Sequence, residues 1–216
     1  MKLELKALCV GALAATAIAV SGGGGAAATA GGHFVSSAEH TTLEALGNAP
    51  HSYAFKSHSG TITCESFRHE GTFSGTTAES IDLAPIYTGC VTQGGTTITG
   101  YTYNGCVYRL TVAAGTTSTT EQTMHFVCPV GKVLEFHQPN CLATMPQQTV
   151  ANAATYAKVE SNGKHALTLY LHATFETQYH GGTCVFLGTK QSATMQGTAL
   201  LVGLNTFGER VSLTAT

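Results

Sequence analysis

Charge is scarce in this chain. Only 10% of its 216 residues are Asp, Glu, Lys or Arg, where soluble domains carry about a quarter. The 10 basic residues form no cluster, and the formal net charge is -2. Phosphate neutralisation needs a basic stripe, so this balance speaks against nucleic acid as a partner and against attraction to anionic lipid. Aspartate occurs once, as Asp82, which argues against Asp-rich calcium loops. No glycine loop suits a phosphate: Gly94-Gly95 leads into a strand pattern rather than a helix. The GTFSG run at 71–75 lacks the Gly-x-Ser-x-Gly spacing of a nucleophile elbow. His69-Glu70 begins like a zinc-protease motif, but Phe73 stands where the second His is required.

Helical periodicity is missing too, and the longest uncharged apolar run, residues 7–20, falls short of the roughly 20 residues of a membrane span. That run follows Lys2 and Lys6 and precedes a small-residue tract. The pattern reads as a secretory signal peptide over residues 1–30, cleaved after Ala19 or Ala30, with an uncleaved anchor as the plainer alternative. Cleavage removes Cys9 and leaves Cys64, Cys90, Cys106, Cys128, Cys141 and Cys184. An even cysteine count in an exported chain points to three bridges.

What the chain has in quantity is Thr, Ser, Gly and alternation. Residues 60–112 alternate apolar with hydroxyl side chains, the pattern of half-buried strands. Gly75–Thr77 marks a turn, and Pro85 points to a sheet edge or a bulge. Asn162-Gly163 between residues 153–161 and 166–175 is the strongest hairpin signal. Leu167, Leu169 and Leu171 there share one face of a core strand, and residues 149–154 read as a connector. About a dozen strands result, with no long helix. Folding back around Thr77 sets Cys64 opposite Cys90, and folding around Thr117 sets Cys106 opposite Cys128, leaving Cys141 with Cys184. The competing scheme joins near neighbours: Cys90 with Cys106, Cys128 with Cys141, Cys64 with Cys184.

The polar residues offer several candidate groupings. His165, His172 and His180 with Glu176 suggest a metal or ligand site, or simply a solvated strand face. Glu65 with Glu70, or Glu135 with Glu160, are the carboxylate pairs a glycosidase would need. Tyr101, Tyr103 and Tyr108 suit sugar binding or cross-strand packing. None has the spacing of a known motif, so no catalytic set, metal site or cofactor is assigned.

The blocks GTITCESF, PIYTGC, NGCVYRLTV, HFVCPVGK, NCLATMP and GTALLVGLNTFGERVSLT occur here in that order. In this the chain resembles a group of secreted, six-cysteine, Gly/Thr-rich actinobacterial proteins with no assigned function, over roughly residues 34–216. The resemblance implies export and a shared β fold, and no activity.

The expectation is therefore an all-β, antiparallel, sandwich-like architecture stapled by disulfides. A signal peptide (1–30) and a connector (31–50) precede the β domain (51–216). The functional expectation is an exported, non-enzymatic protein with a binding or structural role at or outside the cell surface. Its partner would be an extracellular protein or glycan, with membrane contact only through the export signal. A secreted hydrolase using His and Glu is the alternative, and a membrane-inserting β protein is the third reading.

Overall fold

The computed structural model describes residues 31–47, 53–57, 60–92, 100–116, 120–181 and 190–216. Among them every regular element is a strand. In chain order these are β1 (Phe34–Ser36), β2 (His40–Gly47), β3 (Tyr53–Ser57), β4 (Gly60–Ser74), β5 (Thr77–Ala78), β6 (Ser80–Thr92), β7 (Gly100–Thr102) and β8 (Val107–Thr111). Then follow β9 (Gln122–Val127), β10 (Leu134–Gln138), β11 (Cys141–Met145), β12 (Gln148–Ser161), β13 (Lys164–His180), β14 (Lys190–Leu204), β15 (Arg210–Val211) and β16 (Leu213–Ala215).

Eight of these close into a ring. β2, β4, β6, β8, β9, β12, β13 and β14 each pair antiparallel with the next, and β14 pairs back onto β2. The expected sandwich is thus replaced by an up-and-down barrel. Alternation cannot separate the two, because both bury one face of every strand. What closes the ring is the pairing of Leu201 with Ala45, near opposite ends of the chain. Within the expected connector at 31–50, the described residues 31–47 carry β1 and β2, and Phe34, Leu43 and Ala45 are fully buried. The expected connector at 149–154 lies inside β12, where the register shifts between Val150 and Ala154 around Asn152, whose φ is 52°. That bulge bends the strand and leaves Ala153 and Ala154 both buried.

The barrel is finished differently at its two ends. At one end the start of β2 meets the finish of β4, β12 and β14. There β1 runs between β16 and β5 as a small separate sheet. Phe34 of this sheet packs edge-on against Tyr156 at a ring separation of 5.5 Å, and Leu213 is fully buried. His33 and Thr216 exchange backbone hydrogen bonds of 2.8 and 2.9 Å, so the two termini of the described domain form one cap.

At the other end the long strands change partners. β3 takes the place of β2 between β4 and β14, and β11 takes the place of β12 beside β13. β8 leaves β6 after Leu83, two residues before Pro85, which has no N–H to donate to a neighbour. The Pro85 carbonyl instead accepts from the Tyr101 hydroxyl at 3.0 Å. This is the end that carries the cysteines. Cys64 is bridged to Cys90 across β4–β6, and Cys106 to Cys128 just beyond β8–β9. The near-neighbour Cys90–Cys106 scheme is excluded. Cys141 is also disulfide-bonded; its expected partner, Cys184, and the Thr117 turn lie outside the described residues.

Close approaches of staves fall on glycine. A Cβ on Gly71 would lie 2.1 Å from the Asp82 carbonyl oxygen, a backbone atom with little room to retreat. Gly71→Ala should therefore lower stability in urea unfolding by about 3 kcal/mol, the upper range for overpacking. Gly163, with φ +69° in the Asn162-Gly163 turn, has nothing within 4 Å. Gly163→Ala meets only the left-handed backbone penalty, about 1–2 kcal/mol.

Candidate functional site

Polar chemistry lies both inside the barrel and on its outer wall. Inside, His69 of β4 is 1% exposed. Its Nε2 lies 3.4 Å from the Tyr87 hydroxyl, which shares a 3.0 Å hydrogen bond with the Tyr108 hydroxyl. Both tyrosines reach Met195 Sδ, at 3.9 and 3.7 Å. Rings surround the group: Tyr108 packs on Phe126 at 5.3 Å and on Phe175 at 6.1 Å. Burial disfavours charge here and pushes the His69 pKa down to about 3. Burial also raises the Tyr108 and Tyr156 pKa values, and Tyr108 is only partly compensated by its bond to Tyr87. At neutral pH the cluster is a network of neutral groups. A general acid or base needs a pKa near the working pH, and His69 is far from it. Its role is to fill and hydrogen-bond an eight-stranded interior that side chains just occupy.

The sequence-adjacent histidines do not form a site. Along extended β13 each residue rises about 3.3 Å, so His165 and His172 stand roughly 23 Å apart. His172 Nε2 is 3.6 Å from Glu121 Oε1, and His180 Nε2 is 3.4 Å from the Thr144 hydroxyl. The His165 backbone N–H donates to the Ser212 hydroxyl at 3.3 Å. Glu176 is engaged through its backbone by Gln148.

The carboxylate pairs are separated as well. Glu65 lies over Gly89, Glu70 is ion-paired with Arg68 at 2.7 Å, and Glu135 Oε2 is hydrogen-bonded to His137 Nε2 at 3.0 Å. Glu160 stands opposite His165 in the β12–β13 register. Tyr101 turns inward onto Tyr87 (5.1 Å) and Phe136 (5.3 Å), with its pKa raised chiefly by burial. Tyr108 is in the core, and Tyr103 remains exposed.

On the outer wall, two grooves are formed by described residues. One, of about 390 Å³, is lined by Arg109, His125, Gln147 and Thr149 among others. Its cation is already engaged: Asp82 receives two 2.7 Å hydrogen bonds from Arg109, which hold the guanidinium pKa up. His125 Nδ1 is bonded to the Thr149 hydroxyl at 2.9 Å.

The other groove, of about 500 Å³, lies beside the cap. His40 and Thr42 of β2 stand directly opposite Ser74 and Thr72 of β4, and Thr206 of the β14–β15 loop forms its wall. Sequence reading missed this set. Its members are far apart in the chain, and only the β2–β4 register joins them. The hydroxyl-rich alternation was the available signal, but it is spread over the whole chain.

No family model, curated protein or solved structure matches this chain.

Proposed function

We propose that this protein is exported and works outside the cytoplasm as a non-enzymatic barrel, binding or bracing extracellular material through its outer wall. The observation that carries the reading is how the barrel is filled. Tyr108, Phe126, Phe175 and Met195 are buried at 0–1% exposure within it, so recognition falls to the exterior. Disulfides at the partner-switching end suit an oxidising compartment. The outer wall exposes His40, Thr42, Arg68 and Thr72 on adjacent strands, as a surface facing water does. A transmembrane barrel has the opposite arrangement, with an apolar band outside.

The test is expression of the full chain in a secreting host. The expected product is recovered from the medium, begins after Ala19 or Ala30, and has no titratable thiol. Retention in the cytosol with reduced cysteines would overturn the reading. The hydrolase alternative is favoured by one observation, the direct opposition of Glu44 and Glu70 across β2–β4. Turnover of an oligosaccharide that Glu70→Gln abolishes would establish it instead.

A further inference from the structure

We propose that the groove beside the cap binds a neutral oligosaccharide, with Phe207 as the platform on which a sugar ring stacks. This rests on the reading that the protein acts through its outer wall, and names the ligand class.

The floor of the groove is chemically selective. Thr41 is buried and Phe73 packs against the core, so His40, Thr42, Thr72 and Ser74 point outward as a four-cornered patch on two paired strands. Among the described residues these four side chains and Thr206 make no hydrogen bond within the protein. Each hydroxyl can donate and accept, and the imidazole does both when neutral. A ligand made of hydroxyls, each also donor and acceptor, is the natural complement. The volume of about 500 Å³ lies in the range of small-ligand clefts, roughly 300–1,000 Å³.

The loop that contributes Thr206 to the groove also carries the aromatic side chain that sugar recognition needs. Phe207 follows Thr206 and is 87% exposed. Its loop is tied down by Asn205. The Asn205 Oδ1 accepts from the N–H groups of Phe207 (3.0 Å) and Glu209 (2.9 Å). Its Nδ2 donates to Glu209 Oε2 at 2.9 Å. Its backbone N–H donates to the Glu209 carbonyl, and its carbonyl accepts from Gly208 N, both at 2.9 Å. These bonds preorganise the backbone that carries the phenyl ring, so the ordering left for binding is that of the ring's own two side-chain torsions. The electron-rich ring face attracts the C–H face of a pyranose.

Charge selects the neutral class. Two residues along from Thr42 and Thr72, Glu44 faces Glu70, and Arg68 is already paired with Glu70 at 2.7 Å. The described residues that line the groove include no Lys or Arg to pair with a uronate or sulfate, and Glu44 lies two residues from Thr42, which disfavours anionic chains.

The test uses the full, disulfide-bonded protein from the medium in titration calorimetry. The neutral probes are the hexasaccharides of glucose (α-1,4 and β-1,4), mannose and N-acetylglucosamine. The anionic probes are hexagalacturonate and a heparin hexasaccharide. The expected result is saturable binding of at least one neutral probe and none of the anionic ones. Phe207→Ala should weaken it at least tenfold without changing the melting temperature, and Thr42→Val with Thr72→Val should do the same. Val130→Ala, on an exposed turn elsewhere, should not weaken it. Absence of binding by all neutral probes, wild-type affinity in Phe207→Ala, or equal binding of anionic probes would overturn the proposal. With protein found oxidised in the medium, such failure leaves the export reading standing. Cleavage of a bound neutral probe would instead keep the ligand class and remove the non-enzymatic reading.

Discussion

Lowering the pH from 7 to 3 should destabilise this protein by about 4 kcal/mol through one side chain, His69. Its pKa falls from 6.5 in the unfolded chain to about 3 in the folded barrel. The unfolded state therefore binds the extra proton throughout that window. Stability is fully present above pH 6.5 and declines as pH falls, by about 1.4 kcal/mol per unit, until the folded-state value is reached. Domains of this size are stable by roughly 5–15 kcal/mol, so the loss is a large share of the total. Carboxylates also titrate in the lower part of the window. The measurement is accordingly the difference between wild type and His69→Gln in urea unfolding at pH 7, 6, 5 and 4. The variant should lose the steep slope between pH 6 and 4, whatever its stability at pH 7. Parallel slopes in the two proteins would show that His69 is not held neutral by the core.

Removing the Cys64–Cys90 bridge should cost about 3–4 kcal/mol, the entropic value for a loop of separation 26. The location of the damage is as specific as its size. The bridge sits where β4 leaves β2 for β3, whereas the opposite end is closed by β1, β5 and β16. In the Cys64→Ala/Cys90→Ala protein, amide exchange should therefore accelerate first in 60–67 and 86–91. Residues 41–45 and 167–171 should keep their protection. Uniform acceleration would mean that the barrel opens as one unit and that the bridge does not guard one end.

Local sequence disclosed the strands well and their faces mostly. Leu167, Leu169 and Leu171 are buried as alternation requires, and Asn162 and Gly163 adopt φ of 55° and 69° at a two-residue turn. It misled where alternation breaks. Cys64 and Phe67 are three apart on one strand, yet both are buried. Exposed Glu65 lies over Gly89, whose φ is +60°, on the opposed strand, and inward parity resets there. No reading of β4 alone reveals this, because the irregularity needs both strands. The histidine cluster failed for a related reason: closeness along a chain becomes distance once the chain is extended.

Composition and alternation by themselves determined that the chain is all-β, poor in charge and cross-linked, since these follow from local backbone preference and side-chain chemistry. Tertiary structure alone decided that the strands close into a barrel, that a small sheet caps one end while strands exchange partners at the other, and that His40, Thr42, Thr72 and Ser74 meet Thr206 in one groove. Those outcomes depend on which distant strands pair and in what register. A register shift of one residue in β2 or in β4 would turn His40 and Thr42, or Thr72 and Ser74, to the other face.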